Sequence, residues 1–305
     1  MEIIDREIAV KKAPFWRRRR VMQYGLAFLF ILPALINFTV FRYFPIGWAF
    51  RASLWDYSLL GGFKEFIGAD NYIRLLGDKY FWQSLSVTVR FFLMYVPTIV
   101  ILALALAAFA NQNKPGMGAI RAMIYVPVIT SFVVVSIVWG MLLHKDVGIV
   151  NSLLQSFGLS RISFLMDKNN ALPTIVMISV WKDVGYCVII FIAGFKGVSK
   201  ELYEAATVDG ANKFMQFIKI TLPMISRQFM FVIVWATLGA FQVIIPVYSL
   251  TQGGPARATN VIVYHIYRRA FEFGEMGYAS AMSMVLLALL LVVSVVQMRF
   301  FRRDY

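Results

Sequence analysis

Five stretches of the chain run without a single Asp, Glu, Lys or Arg: Val21–Phe41, Phe91–Asn113, Ala122–His144, Gln228–Ala256 and Met276–Met298. Each exceeds the roughly 18–20 residues that a helix needs to cross the hydrocarbon core of a bilayer. A sixth stretch, Asn169–Phe195, is apolar except for Lys182 and Asp183 at its centre. Soluble core helices do not show such runs five times over, so the pattern predicts an all-α integral membrane protein.

The sixth stretch counts as a span on two grounds. Each charge at mid-bilayer costs about 2.5–3.5 kcal/mol on insertion scales, and the flanks TIVMISV and CVIIFIAGF offset that. Orientation is the second ground. Arg17–Arg20 abut the first stretch and are expected to hold the amino terminus in the cytoplasm, while Arg299, Arg302 and Arg303 follow the last. Only an even number of spans returns both clusters to one side, which six spans do. Arg257, Arg268 and Arg269 then fall on the outer side, against the positive-inside rule. The expected organisation is a cytoplasmic arm over 1–20, a first span and outer loop over 21–79, a five-span core over 80–298 and a cytoplasmic tail over 299–305. A signal-peptide reading of Val21–Phe41 fails because the apolar core is too long and no A-x-A-like site precedes Arg42.

Composition agrees: 60% of residues are hydrophobic and the mean hydropathy is +0.69, against about 45–50% apolar in ordinary soluble domains. A formal charge of +14 would suggest nucleic acid in a soluble chain; in a membrane protein it reflects orientation signals. The single Cys187 excludes an intramolecular disulfide framework. His144 and His265 are the only histidines, with no metal or triad spacing around them. No G-x-x-x-x-G-K-[ST] loop occurs; Gly116-Met117-Gly118 is followed by Ala-Ile-Arg and, with Pro115, reads as a tight turn between spans two and three. No catalytic, metal or cofactor site is expected on this chain.

One polar segment stands out. ELYEAATVDGANKFMQFIKITLP, Glu201 to Pro223, lies in the loop 196–227 between spans four and five, which the six-span arrangement puts in the cytoplasm. Ser199 is placed to cap a helix with Glu201 in its first turn, and Leu202, Ala205 and Ala206 share a face. Gly210 breaks that helix at a turn needing positive φ. A second helix puts Phe214, Phe217 and Ile218 on one face, and Pro223 is expected to close it. An amphipathic hairpin on the membrane surface would account for the phenylalanines, and a DNA-reading helix-turn-helix is a formal match that the tether between two spans disfavours. Neither explains two alanines with a carboxylate beside them on the exposed first helix.

Glu204-Ala205-Ala206, then Gly210 within Asp209-Gly210-Ala211, then Ile220-x-Leu222-Pro223, resembles the EAA loop of ABC importer permeases at the family's spacing. LPALINFTVFRYFPIGWAFRASLWDYS, FIGADNYIRLLGDKYFWQSLSVT and LTQGGPARATNVIVYHIYRRAF followed by MGYASAMSMVLL are similar to the first permease of the maltose- and glycerol-phosphate-type pairs. The resemblance implies six kinked spans and a coupling helix that docks in a groove of a cytoplasmic ATPase subunit. Glu204, Ala205, Ala206, Asp209, Gly210, Ala211, Ile220, Leu222 and Pro223 would carry that coupling, the alanines by close approach and Glu204 by charge. It further implies a second permease in a heterodimer, two ATPase subunits holding ATP-Mg, an extracytoplasmic binding protein, surrounding membrane lipid and no nucleic acid. The setting would be a bacterial inner membrane with both termini cytoplasmic, and the solute a saccharide or a related polyol or glycerol derivative.

Lys182 and Asp183 are adjacent, so on a helix they point about 100° apart and cannot stack as an i,i+4 pair. Each is therefore expected to need its own environment: a solute pathway, with Gln242 as a neighbour, or bonds to adjoining helices. As a relay, the pair would instead suit an ion-coupled secondary transporter. A membrane-embedded enzyme is the third class, disfavoured by the lack of a nucleophile–base pair. Pro33, Pro97, Pro127 and Pro246 fall inside apolar stretches and predict kinked spans.

Overall fold

The computed structural model describes residues 15–112 and 114–301. The arm up to residue 14, and Arg302 and Arg303 of the tail, lie outside the described residues. In chain order the elements are α1 (Phe15–Phe38), α2 (Phe44–Ser53), the strands β1 (Trp55–Ser58) and β2 (Gly62–Phe66), α3 (Asp70–Gly77), α4 (Lys79–Ala110), α5 (Met117–Ile129), α6 (Phe132–Leu142), α7 (Ile149–Ser156) and α8 (Ala171–Lys196). There follow α9 (Lys200–Val208), α10 (Lys213–Gln216), α11 (Leu222–Met224), α12 (Ser226–Phe241), α13 (Ile245–Leu250), α14 (Ile262–Tyr267) and α15 (Met276–Phe301). Among the described residues five helical segments are long and apolar enough to cross a membrane, and α5 with α6, bent by 98°, brings the number to six when the pair is counted as one span.

Three helices build the core. Ile99 and Ala103 of α4, Ile175, Cys187 and Phe191 of α8, and Val232, Ala236 and Ala240 of α12 are fully enclosed. Small residues at these contacts let helix backbones approach, the main source of packing energy between spans. Gly185 of α8 is the extreme case: a Cβ there would collide with the backbone carbonyl of Ile124 on α5. A second cluster joins Tyr278, Met282 and Leu286 of α15 to Phe81, Phe241 and Ile262.

The first span departs from expectation. Helix continues past Phe41 to Ser53 through a π-helical turn at Thr39–Tyr43. Pro45 explains the turn: its ring cannot coexist with an ordinary preceding helical turn, and a wider one makes room. Ala52 is then buried beside Gly277 of α15 and Ser53 beside Asn71 and Tyr72 of α3, and the chain passes into a hairpin that the all-α reading did not foresee. In it β1 and β2 pair antiparallel around Gly62, whose φ of +66° the turn requires.

The third apolar stretch is not one straight helix. Pro127 sits in α5 just before the chain bends at Thr130 and Ser131. The fifth is broken too. Gln242 ends α12, and Pro246 falls in the first turn of α13 rather than inside a continuous span. A missing N–H is harmless at that position, which is why proline is found there.

Candidate functional site

The polar segment after α8 forms two clipped helices. Ser199 Oγ accepts from the Glu201 N–H at 3.3 Å and caps α9. At the other end Gly210 N–H donates to the Thr207 carbonyl (3.0 Å) and Ala211 N–H to the Ala206 carbonyl (2.8 Å). That bond pair is a Schellman motif, and it needs a left-handed residue at Gly210, whose φ is +79°. Asn212 Oδ1 then accepts from the Met215 N–H (2.8 Å) and starts α10.

Side chains that sequence reasoning passed over hold the two helices together. Gln216 Nε2 donates to Thr207 Oγ1 (2.9 Å) and to the Ala211 carbonyl (3.2 Å). The Tyr203 hydroxyl meets Thr221 Oγ1 at 2.8 Å. Tyr203, not Leu202, is the inward residue of α9, packing on the membrane core while Leu202 stays exposed. Phe217 likewise turns inward, 6.4 Å from the Phe195 ring, away from the exposed Phe214 and Ile218. The three therefore do not share one solvent-facing stripe.

The nine motif residues divide by position. Glu204, Ala205 and Asp209 are exposed, Ala206 and Ala211 half-buried, and Gly210 makes the turn. Ile220 and Leu222 pack against the membrane core and anchor the segment. Pro223 does not close the second helix. A π-helical turn at Phe217–Thr221 precedes it, and α11 leads on into α12, the same device that accommodates Pro45. The outcome is a hydrogen-bonded knob on which Glu204, Ala205, Val208 and Asp209 are exposed, with Lys200, Leu202, Lys213 and Phe214 exposed around them.

The second candidate region lies between the broken spans. Lys182 and Asp183 were expected to need separate surroundings, yet their charged ends meet, Lys182 Nζ lying 3.7 Å from Asp183 Oδ1. Long, flexible side chains bridge what the 100° offset separates at the backbone. Lys182 is 8% exposed; it also donates to the Val128 carbonyl (3.3 Å) and lies 5.3 Å from the Phe132 ring centre. The bend after Ile129 leaves that carbonyl at a helix terminus, where a cation is favourable. Asp183 Oδ2 accepts from the Tyr95 hydroxyl at 3.0 Å.

Asp183 and Gln242 line one cavity of about 210 Å³, along with Ser179, Phe91, Tyr95 and Phe132. Ser179 Oγ is buried there without a hydrogen-bond partner. Lys182 is not part of its wall. The structure thus brings Asp183 and Gln242 together and sets Lys182 to stabilising the bend. Among the described residues no group of three His, Cys, Asp or Glu side chains could hold a metal ion.

A family profile described as binding-protein-dependent transport system inner membrane component matches residues 79–303. A probable ABC transporter permease protein, YurN, of Bacillus subtilis is 34% identical over 91% of this chain and 96% of its own length. The lactose transport system permease protein LacF of Rhizobium radiobacter is 34% identical, over 88% and 91% respectively. In fold the chain is similar to a subunit of a bacterial alginate ABC transporter solved with its pentasaccharide-bound periplasmic protein. That match has a TM-score of 0.80 at 24% identity and covers 93% of this chain and 96% of the other.

Proposed function

Because the chain belongs to the family of binding-protein-dependent transport system inner membrane components, we propose that it is the membrane-spanning subunit of an ATP-driven importer. The solute is a saccharide or a related polyol or glycerol derivative, a class supported by the likeness to a lactose permease. The observation that carries this reading is the capped, clipped knob of α9 and α10. Hydrogen bonds fix both of its ends, and its exposed face presents Ala205 between the carboxylates of Glu204 and Asp209. Such a surface suits insertion between the side chains of a partner, here an ATPase subunit on the cytoplasmic side. ATP with Mg²⁺ binds on that partner, and both termini of this chain lie in the cytoplasm.

A second, different permease completes the pathway. The apolar window of the first span, within Met22–Ser53, buries nothing against its own chain, which supports its packing on another subunit in the membrane. An extracytoplasmic binding protein delivers the solute to the opposite face. Asp183, Gln242 and Ser179 supply hydroxyl partners along the route. Ion coupling has no comparable support, since Lys182 and Asp183 both have partners that account for them.

Uptake by the assembled complex tests this reading. Uptake should continue when the proton gradient is collapsed at constant ATP, and an ATPase subunit should co-purify with the tagged chain. Transport that stops with the gradient while ATP is maintained would refute it.

A further inference from the structure

Arg257 is one of the outer-side arginines that break the positive-inside pattern, and it stands where two cavities meet. The larger, about 400 Å³, is lined by Gln83 and Arg90 of α4, by Lys168 and Asn169 just before α8, and by Arg257. Gln83, Arg90 and Met94 fall on one helical stripe and face it together. Three cations and two amides line this cavity, and no carboxylate does. Asp167, next to Lys168, is engaged elsewhere: its Oδ1 accepts from the N–H groups of Asn169 (2.8 Å) and Asn170 (3.1 Å). Among the described residues neither Arg90 nor Lys168 has an ion-pair partner.

Arg257 itself is held in place. It and Ala256 both have left-handed backbones, with φ of +63° and +48°, and its guanidinium lies 3.6 Å from the Tyr80 ring centre. The adjoining cavity, about 240 Å³, is built rather than incidental. Asn260 and His265 are 3% and 6% exposed, and Asn260 Oδ1, His265 Nε2 and Arg269 Nε are buried without partners. The Asn260 amide is fixed in orientation: Nδ2 donates to Ser84 Oγ (2.9 Å), whose own proton goes to the Tyr80 carbonyl (2.8 Å).

Unpaired cations beside amides are what a ligand with both acidic groups and hydroxyls requires, and 400 Å³ falls within the usual size of small-molecule sites, about 300–1,000 Å³. We propose that these cavities form an outer vestibule for an anionic saccharide derivative, whose acidic group Arg90, Lys168 and Arg257 receive while Gln83 and Asn169 bind its hydroxyls. The inference rests on the importer reading and narrows its solute to one bearing a carboxylate, sulfonate or phosphate. A neutral solute would leave Arg90 and Lys168 without a counter-charge.

The test uses the full chain in phosphatidylcholine nanodiscs, so that no lipid anion competes. The probes are a tri-galacturonate and the neutral maltotriose. The acidic probe should bind at least about tenfold more tightly, and Arg90→Gln or Lys168→Gln should each weaken it by about tenfold, the worth of one charged hydrogen bond. The preference should shrink as salt rises from about 50 mM to about 500 mM. Equal binding of the two probes, no binding of the acidic one, or variants that bind it unchanged would overturn the proposal. So would normal probe binding by variants that have lost stimulation by the binding protein, which would give the cavities to protein docking. ATP-driven import of a neutral saccharide with the acidic one ignored would remove this inference alone. Uptake independent of ATP would remove the importer reading beneath it.

Discussion

The ammonium of Lys182 lies 3.3 Å from the carbonyl oxygen of Val128, so a charge in the middle of one span closes the end of a broken helix in another. The same ammonium balances Asp183. Replacing it with methionine leaves a helix-terminal carbonyl and a carboxylate without their partner. Removing one member of such a buried pair costs about 3 kcal/mol. Lys182→Met should therefore lower the thermal unfolding midpoint in detergent, and Lys182→Met with Asp183→Asn should recover part of the loss. A single variant as stable as the wild type would show that the contact contributes nothing.

At Gly210 nothing lies within 4 Å of where a Cβ would stand, so substitution there meets strain and not collision. A left-handed backbone costs an ordinary residue about 1–2 kcal/mol, and asparagine tolerates it best. Gly210→Asn should retain the knob. Gly210→Val should distort it, reducing the ATPase subunit recovered with the tagged chain while leaving membrane insertion intact. Equal recovery from the two variants would detach the turn geometry from partner binding.

These two sites also mark what the sequence could and could not disclose. The turn at Gly210 and the cap at Ser199 were legible because both depend on residues within a few positions of one another. So were the six apolar stretches, which depend on length and composition. The Lys182–Val128 contact was not, since it joins residues 54 apart and exists only because α5 ends where it does. Gln216 and Tyr203 were missed for a similar reason: each is an unremarkable residue until the second helix folds back. The hairpin left a readable trace in WDYSLLGGFKEF, with aromatic residues on either side of a Gly-Gly turn. The breaks in the third and fifth stretches were foreshadowed by Pro127 and Pro246, but a proline alone does not say whether a helix kinks or stops.

Acid should destabilise the protein in two windows. Burial first, and then the charge of Arg269, push His265 down to about 4 from its ordinary 6.5, so the fold holds the neutral ring. Between those values the unfolded chain binds a proton that the folded chain refuses, and stability falls as pH drops from about 6.5 to about 4, by up to about 3 kcal/mol. Burial raises Asp78, but hydrogen bonds from Tyr278 and the N–H groups of Tyr80 and Phe81, with Arg269 nearby, outweigh it and leave the carboxyl below its usual range. Its contribution is present above the ordinary value of 3.8 and is lost only below it. Unfolding midpoints followed from pH 7 to 5 should fall in the wild type and flatten in His265→Gln. An unchanged slope in that variant would assign the acid sensitivity to other groups.

The cavity between the broken spans separates two roles that the adjacent charges once shared. Asp183 and Gln242 line it and Lys182 does not, so a reagent travelling the solute route should meet only the first two positions. The buried Cys187 is first replaced by serine, and single cysteines are then placed at 182 and 242. If the cavity lies on the route, the cysteine at 242 should react with a small water-soluble thiol reagent, and bound solute should slow that reaction. The cysteine at 182 should stay unreactive while the protein becomes less stable, because its place is against the Val128 carbonyl. Comparable labelling at both positions would put Lys182 on the route as well and undo its assignment to the bend. Labelling at neither, in the presence or absence of ATP, would leave the cavity a closed packing defect and place the solute route elsewhere among the spans.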